Sequence, residues 1–255
     1  MAENEKRVIE AEADGVIEGR NAVIEALRAG VNIDKIYLMK GDTDKTLGHI
    51  ASKARAAGIV VVDADKRKLD GMSRTHAHQG VIALAAVREY ATVDDILKAA
   101  EAKNEKPLIV VCDEISDPHN LGAIIRTAEC AGAHGVIIPK RRSAGLTAIV
   151  GKTSAGAVAH VPVARVPNIP SLLDSLKKQG LWVFGAAMGG SQTLYEADLK
   201  GPAVIVIGSE GHGMTRLTEE SCDVLVRIPM KGKLNSLNAS AAAAILLYEA
   251  LRQRL

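Results

Sequence analysis

The chain has 255 residues, and its hydrophobic fraction of 47% is enough to bury the cores of two domains. Aromatic residues make up only 2%, which argues against RNA binding through a sheet of stacked aromatic side chains. The formal net charge of +2 excludes a bulk polycation, so contact with nucleic acid must come from local basic patches. Three runs are candidates, with a solvated surface as the alternative for each: Lys66-Arg67-Lys68, Lys140-Arg141-Arg142, and Arg227 with Lys231 and Lys233.

The N-terminus and the cysteines bear on the location of the protein. Residues 1–14 are charged, lack the apolar stretch of a secretory signal, and are expected to form a flexible tail. No uninterrupted apolar run reaches the length of a membrane span. Cys112, Cys130 and Cys222 lie far apart in apolar stretches, which predicts buried free thiols and no metal site. A soluble, cytoplasmic protein is expected.

A small αβ domain is predicted over residues 15–88. Two helical patterns are each followed by a glycine, and three apolar segments alternate like strands. These are helices at Asn21–Ala29 and Thr43–Ala57 and strands at Ile33–Met39, Ile59–Val62 and Gly80–Val87. The charged segment 89–106, with helical character around Asp94–Ala102, is interpreted as a linker with a peripheral helix.

From Pro107 onward, short apolar runs alternate with helical stretches. The runs are Leu108–Cys112, Val136–Ile138, Val161–Ala164, Leu181–Ala186, Ala203–Ile207 and Val224–Ile228. Continuous apolar strands between helices indicate a parallel sheet that is covered on both faces. Because ligands bind such sheets at the carboxyl ends of the strands, the informative loops follow Cys112, Ile207 and Ile228.

The first of these loops opens a motif at residues 113–128. A turn containing proline leads into a helix that is predicted to begin near Asn120, a good N-cap residue. Arg126 lies off the apolar stripe, one turn above Gly122, and the glycine is expected to leave open space beside it. An arginine in such a gap near a helix N-terminus suits contact with a phosphate or a ribose. A surface arginine beside a capped helix is the alternative.

The second motif is Ile207-Gly-Ser-Glu-Gly-His-Gly-Met214, a loop with three glycines and the carboxylate of Glu210. Its glycines permit positive φ angles or close approach of the backbone to a ligand. Their order differs from the dinucleotide-binding G-x-G-x-x-G, and no glycine loop of that type follows an earlier strand. This disfavours a dehydrogenase and the common Rossmann-like methyltransferases.

The third motif, residues 228–240, joins a strand to a final helix predicted from Ser240 to about Arg254. Ser236 and Asn238 are candidates for helix caps or for ligand contacts. Alanines 241–244 would let another element pack close to this helix. Purely structural capping is the alternative.

Together the three motifs resemble those of the SpoU/TrmH family of RNA ribose 2′-O-methyltransferases. Asn120 and Arg126 match the first motif, Gly208-Ser-Glu-Gly211 the second, and Ile228-Pro-Met230 with Ser236-Leu-Asn238 the third. The front domain is similar to that of the 23S rRNA guanosine 2′-O-methyltransferase subgroup. The segments that fit the subgroup are Glu18–Leu27, His78–Ala83 and Asp117–Gly122.

The resemblance implies an α/β protein with two domains. A ribosomal-protein-like RNA-binding domain precedes a SPOUT-type methyltransferase domain over residues 107–255, whose parallel sheet carries a C-terminal knot, an exception to the rule against threaded chains. S-adenosylmethionine is expected to bind in the knot, and no metal is needed. Its expected contacts are Gly208, Ile228 and Leu237, with Ala186, Gly211 and Met230. A homodimer with the site near the interface is also implied.

The family assigns proton removal from the ribose hydroxyl to Arg126. Because a guanidinium ordinarily keeps its proton in proteins, a second reading has Arg126 stay charged, hold a phosphate and stabilise a developing alkoxide. Glu210 is expected to orient its neighbours, while Asn120, Ser236 and Asn238 position the ribose and the methionine end of the cofactor. His119 and His212 are candidates for RNA contact. A tRNA substrate and a non-catalytic RNA-binding module are the alternatives.

Overall fold

The computed structural model describes residues 15–255, so the tail predicted for residues 1–14 lies outside the described residues. The chain divides into two compact units. The first contains the described residues up to Glu89 together with Gly145–Ala148, and the second contains Tyr90–Ala144 and Ile149–Leu255. Within residues 15–255, no helix is long and apolar enough to cross a membrane.

The first unit is a four-stranded sheet covered by helices. Its elements are β1 (Val16–Glu18), α1 (Arg20–Arg28), β2 (Ile33–Met39), α2 (Lys45–Ala56), β3 (Val60–Ala64), α3 (Lys66–Met72) and β4 (Val81–Ala85). The strand order is β1-β4-β2-β3, with β2 and β3 parallel and the other pairs antiparallel. The predicted elements are all present, within a few residues at their ends. The three-residue β1 and the helix α3 were not predicted, because both are too short for a clear periodicity.

The two front-domain motifs contact one another in this unit. Arg20 donates from Nε to the carbonyl oxygen of Gln79 at 3.0 Å, and its backbone N–H donates to Gln79 Oε1 at 3.2 Å. Arg20 Nη1 also donates to Asp44 Oδ2 at 2.7 Å. Glu18 accepts a hydrogen bond from the backbone of Thr75 at 2.9 Å. Residues that are 59 positions apart therefore form one polar cluster.

The second unit is built on a seven-stranded sheet in which every pair of neighbouring strands is parallel. Its elements are α4 (Val93–Ala102), β5 (Leu108–Cys112), α5 (Pro118–Cys130), β6 (Gly135–Pro139), α6 (Ala148–Thr153), β7 (Val163–Val166), α7 (Ile169–Lys178), β8 (Trp182–Ala186), β9 (Gln192–Thr193), β10 (Ala203–Ile207), α8 (Arg216–Glu220), β11 (Val224–Arg227) and α9 (Ala239–Arg254). All six predicted strands are present, and β9 is an additional short one. The predicted parallel sheet is confirmed.

Both faces of this sheet are covered, as the apolar runs predict. Ile109 and Val204 are fully buried in a core that also contains residues of α4 and α7. The alternating residues Val110 and Ile205 are equally buried, and they point to the opposite face because side chains alternate along a strand. Helices α5 and α9 pack against each other in this unit.

The segment 89–106 is not a linker in the structure. It contains the predicted helix, α4, but Ile96 of that helix is fully buried in the main core of the second unit. A Cβ atom at Gly135 would approach the Ile96 side chain to 2.5 Å, so the helix packs directly on the start of β6. Val93 and Leu97 pack against the same core, and Ala100 is also buried. These residues follow the i, i+3, i+4, i+7 spacing of a buried helix face, which is the signal that the linker interpretation overlooked.

The strand order brings the three motif loops to one edge. β10 lies between β5 and β8, and β11 follows β8 in the sheet order β7-β6-β5-β10-β8-β11-β9. Because these strands are parallel, the loops after Cys112, Ile207 and Arg227 leave from the same edge of the sheet.

The cysteine prediction is only partly right. Cys112 is buried and Cys222 half-buried, and burial raises the pKa of each thiol to about 12. Cys130, at the end of α5, is exposed. All three are free thiols. The surrounding apolar residues did not indicate which side of the helix Cys130 occupies.

Candidate active site

The helix of the first motif begins earlier than predicted. Asp117, not Asn120, is the N-cap residue of α5, and its Oδ1 accepts from the backbone N–H of His119 at 2.9 Å. Pro118 takes the first helical position, where its missing N–H costs nothing. Asn120 lies inside the first turn and is only 7% exposed. Its side chain is therefore free to point into the protein.

Asn120 contacts the other two motifs. Its Nδ2 donates to Glu210 Oε1 at 3.0 Å, and its Oδ1 accepts from Asn238 Nδ2 at 2.9 Å. Asn238 Nδ2 also donates to Glu210 Oε1, and the backbone N–H of Ala239 reaches the same oxygen at 3.3 Å. One side chain from each motif thus enters a closed ring of hydrogen bonds. Charge-assisted bonds of this kind to a carboxylate are stronger than neutral ones.

Asn238 is also the N-cap residue of α9. Its Oδ1 accepts from the backbone N–H groups of Ser240 at 2.9 Å and Ala241 at 3.2 Å. The two readings of this residue, helix cap and site residue, are therefore compatible. The oxygen of the amide caps the helix while its nitrogen joins the ring with Asn120 and Glu210.

The glycine loop of the second motif is folded on itself. Ser209 and Gly213 exchange two backbone hydrogen bonds of 2.9 Å. A Cβ atom at Gly208 would lie 2.1 Å from the carbonyl carbon of Gly213, so glycine is required there by the loop itself. Gly211 and Gly213 have positive φ angles of 80° and 70°. This turn presents Glu210 toward Asn120.

A buried carboxylate that sequence reasoning missed supports the same loop. Asp113, the first residue after β5, is 3% exposed, and its Oδ2 accepts from the backbone N–H of Thr215 at 2.7 Å. Its own backbone N–H donates to the carbonyl of Ile207 at 2.8 Å. Asp113 therefore connects the ends of β5 and β10 to the start of α8. A carboxylate directly after a buried strand was the available signal.

A cleft of about 550 Å³ opens beside the hydrogen-bonded ring. Its lining residues come from the loops after β5, β6 and β10 and from the start of α5. They are Glu114, Ile115, Ser116, Asp117, Asn120, Arg142, Ser209, Glu210 and His212. Glu114, Ser116 and Ser209 were not singled out in the sequence, because nothing in the local pattern indicates that the loop after β6 joins the loops after β5 and β10 at this cleft. Arg142 was singled out only as part of a basic run.

Three predicted catalytic residues, Arg126, Ser236 and Asn238, are not among those that line this cleft, although Asn238 belongs to the hydrogen-bonded ring beside it. Arg126 is exposed on α5, and Ser236 is exposed in the loop before α9. The open space expected beside Arg126 is filled. A Cβ atom at Gly122 would lie 1.9 Å from Thr153 Oγ1, so Gly122 makes room for α6 and not for a ligand. Among residues 15–255, no hydrogen bond or ion pair involves the Arg126 side chain, whereas its backbone belongs to α5.

The six residues predicted to contact the cofactor lie along the loop edge of the sheet. Gly208 directly follows β10, and Ile228 directly follows β11. Ala186 ends β8, the strand between those two, and is paired in register with Val226. Gly211 is in the glycine loop, while Met230 and Leu237 are exposed in the loop between β11 and α9.

Comparison with known proteins was decisive. Residues 107–248 match the SpoU rRNA methylase family, and residues 16–91 match the RNA 2′-O ribose methyltransferase substrate-binding domain. The chain belongs to the SpoU rRNA methylase family. The recognition of an RNA methyltransferase from its three motifs is thereby confirmed.

Relatives of this SpoU methylase are similar over nearly their whole length. The Bacillus subtilis protein YacO, named as a TrmH family tRNA/rRNA methyltransferase, is 46% identical over 92% of this chain and 94% of its own. A Staphylococcus haemolyticus protein with the same family name is 44% identical over 94% of this chain and 96% of its own.

Two solved structures of SpoU-type enzymes also align with the chain. The rRNA methyltransferase of Sinorhizobium meliloti, described with bound AdoMet, aligns with a TM-score of 0.62 and 27% identity. The alignment covers 98% of this chain and 94% of the Sinorhizobium meliloti chain. The methyltransferase AviRb of Streptomyces viridochromogenes, in complex with AdoMet, has a TM-score of 0.60 and 25% identity over 94% of this chain and 90% of its own.

Proposed function

We propose that this SpoU methylase transfers a methyl group from S-adenosylmethionine to a ribose 2′-hydroxyl of RNA, and that its substrate is a guanosine of 23S rRNA. The observation that carries the proposal is the ring of Asn120, Glu210 and Asn238 beside a 550 Å³ cleft. A cleft of this volume is in the range of small-molecule sites and can admit a nucleoside. The 2′-hydroxyl fits the family description matched by residues 16–91.

The residues at the loop edge fit S-adenosylmethionine. Gly208, Ala186 and Ile228 offer backbone groups at the carboxyl ends of neighbouring parallel strands, where α/β sheets bind ligands. Met230 and Leu237, 39% and 38% exposed, offer apolar surface for an adenine ring. When bound, this cofactor supplies an electrophilic methyl group on a sulfonium. Two aligned structures are described with it.

Glu210 is suited to orient the ribose. Its Oε1 already accepts from Asn120, Asn238 and Ala239. Within residues 15–255, no donor reaches Oε2, so this oxygen can accept a hydrogen bond from a ribose hydroxyl. A hydroxyl held in this way is aligned for attack, and alignment is a large part of the barrier in a displacement reaction.

Arg126 has two proposed roles, as the acceptor of the ribose proton or as a charged group that stabilises an alkoxide. Because Arg126 does not line the cleft of its own chain, we propose that the enzyme is a homodimer and that the arginine acts on the site of the partner. Arg126→Ala should then lose most activity with the fold intact. A mixed dimer of Arg126→Ala and Glu210→Ala chains separates the possibilities.

In that mixed dimer, action between subunits restores one complete site. Co-expressed chains should therefore recover up to about a quarter of the wild-type sites. If Arg126 acts within its own subunit, no site is complete and activity stays at the level of the single variants. Wild-type turnover by Arg126→Ala alone would contradict both readings.

Transfer of labelled methyl groups tests the substrate. Purified protein is incubated with methyl-labelled S-adenosylmethionine and unmodified 23S rRNA, with bulk tRNA in parallel, and labelled ribose is mapped. Label on one guanosine of 23S rRNA is expected, since Glu18–Leu27 and His78–Ala83 resemble that subgroup. A tRNA substrate is the second candidate, favoured by the names of the relatives. Failure to bind S-adenosylmethionine in calorimetry would contradict the enzymatic proposal. The C-terminal knot and a cytoplasmic location belong to the same proposal.

A further inference from the structure

An ion pair at the cleft is held by unusual backbone geometry. Arg142 Nη1 lies 2.9 Å from Glu114 Oε1, and both residues line the cleft. Their φ angles are 56° and 59°, in the left-handed region that residues other than glycine seldom adopt. They are two of six such non-glycine residues between positions 15 and 255. Backbone strain of this kind persists where the surroundings impose it, and it is concentrated at functional sites.

The loops that carry the pair are tied together. The carbonyl oxygen of Ile115 accepts from the backbone N–H of Ala144 at 2.8 Å and from Ser143 Oγ at 3.3 Å. Ile115 and Ser143 are both buried. The loops after the neighbouring strands β5 and β6 thus form one frame, and Glu114 and Arg142 project from it. This frame fixes the backbone positions from which the side chains of Glu114 and Arg142 meet.

The charge around Arg142 indicates what it binds. Three carboxylates line the cleft, those of Glu114, Asp117 and Glu210, and Arg142 is the one arginine or lysine among the lining residues. Its side chain is 79% exposed, and Glu114 is its one ion-pair partner in the part of the chain that the structure describes. An RNA strand that delivers a ribose to Asn120 must bring its phosphates past these acidic groups. Arginine can bind a phosphate through two parallel N–H donors.

We propose, on the basis of the proposed function, that Arg142 binds an RNA backbone phosphate next to the target ribose. Glu114 is the positioning residue that aims the Arg142 guanidinium. The two residues act on substrate binding and register, whereas the ring of Asn120, Glu210 and Asn238 orients the reacting hydroxyl. Arg142 thereby anchors the strand on the wall of the cleft formed by the β5 and β6 loops.

The role of Glu114 separates this proposal from simple charge attraction. If charge alone governed RNA affinity, Glu114→Gln would remove a repelling carboxylate and tighten binding. If Glu114 positions Arg142, the same substitution leaves the guanidinium without its fixed orientation and weakens binding. The sign of the change therefore decides between the two.

The test compares Arg142→Gln and Glu114→Gln with the wild type on unmodified 23S rRNA. Filter binding across a salt series gives RNA affinity, methyl transfer gives KM and kcat, and calorimetry gives affinity for S-adenosylmethionine. Arg142→Gln should raise KM about tenfold or more with a smaller change in kcat. It should lower the slope of log affinity against log salt by about 1. Glu114→Gln should raise KM several-fold, and cofactor affinity should be unchanged in both.

Two kinds of control are available in the chain. Arg216 and Glu220 form an exposed ion pair of 2.5 Å on α8, outside the cleft lining, so Arg216→Gln and Glu220→Gln should leave KM unchanged. Arg141→Gln removes the same charge one residue away from Arg142, without touching the cleft lining. Equal effects of Arg141→Gln and Arg142→Gln would overturn the phosphate contact. Tighter RNA binding by Glu114→Gln would overturn the positioning role.

Failure of the proposed function would look different. If the wild type binds 23S rRNA but transfers no methyl group to it, the proposed substrate or the proposed reaction is wrong, and the salt series still decides the role of Arg142. Circular dichroism and thermal melting of each variant identify any loss of folding. Arg142→Lys keeps the charge but loses the planar guanidinium. It should show the wild-type salt slope, with a KM between those of the wild type and Arg142→Gln.

Discussion

Two polar clusters in this protein use the same kinds of side chain to different ends. In the first unit, Arg20 bonds to Gln79 and Asp44, and its side chain is 29% exposed. In the second unit, Arg142 bonds to Glu114 and is 79% exposed. The first cluster is closed, since its donors meet acceptors of the same unit. The second leaves most of its N–H donors open to a cleft.

This difference separates stability from function. A satisfied polar cluster fixes the chain around it, because breaking it leaves partners unpaired. An open group has donors or acceptors that face solvent in the free protein and remain available to a ligand. Glu210 combines both, as Oε1 accepts three hydrogen bonds while Oε2 faces none from the described residues. A substitution in a closed group should therefore mainly lower stability, whereas a substitution in an open group should mainly lower activity.

The largest effect is expected at Glu210. Glu210→Gln replaces an acceptor-only group with an amide that must also donate, so it disrupts the ring with Asn120 and Asn238. We expect kcat for methyl transfer to fall about 10²- to 10³-fold, the usual cost of a lost positioned group, and the melting temperature to fall as well, because Asn120 and Asn238 lose a shared acceptor. Glu129→Gln on the exposed side of α5 is the matched control. Near-normal kcat in Glu210→Gln would remove the ring from the mechanism.

At Arg20 we expect a smaller effect, on stability and not on kcat. Arg20→Ala leaves Gln79 and Asp44 without their partner, and should lower the free energy of unfolding by roughly 1–3 kcal/mol. We expect kcat at saturating RNA to be unchanged. The control is Arg28→Ala, an exposed pair with Glu25 on α1, which should cost under about 1 kcal/mol. Chemical denaturation measures both. A loss of kcat in folded Arg20→Ala would break the distinction between closed and open clusters.

The smallest effect is expected at His134, a closed group in the second unit. Its Nδ1 accepts from the backbone of Leu108 at 3.0 Å, and its Nε2 lies 3.0 Å from Glu105 Oε2. Burial lowers the pKa of His134 below its ordinary value of 6.5, although Glu105 opposes this in part. The folded state therefore binds fewer protons than the unfolded state just below pH 6.5, and stability falls as pH drops through that range.

Thermal melting between pH 7.5 and 5.5 tests this pH dependence. The wild type should lose stability on acidification, and His134→Gln should lose less over the same range, although it starts from a lower melting temperature. His160→Gln, at an exposed position, should keep the wild-type slope. Equal slopes in wild type and His134→Gln would show that this histidine does not couple folding to pH.

The sequence by itself determined the strands of the parallel sheet and the members of the ring. Apolar runs such as Leu108–Cys112 and Ala203–Ile207 are strands because a fully buried parallel strand must be apolar on both faces. Asn120, Glu210 and Asn238 were identified because each stands in a dense polar motif directly after such a strand. Such patterns can be recognised in the sequence because each one depends on a single strand, helix or loop.

Only the tertiary structure decided which separate segments meet. It moved the cap of α5 from Asn120 to Asp117, filled the space at Gly122 with Thr153, and placed Ile96 in the core. It also brought Glu114 and Arg142 together across a sequence separation that no local pattern encodes. Periodicity reports which face of one element is buried, but the neighbour on that face is set by strand order and packing.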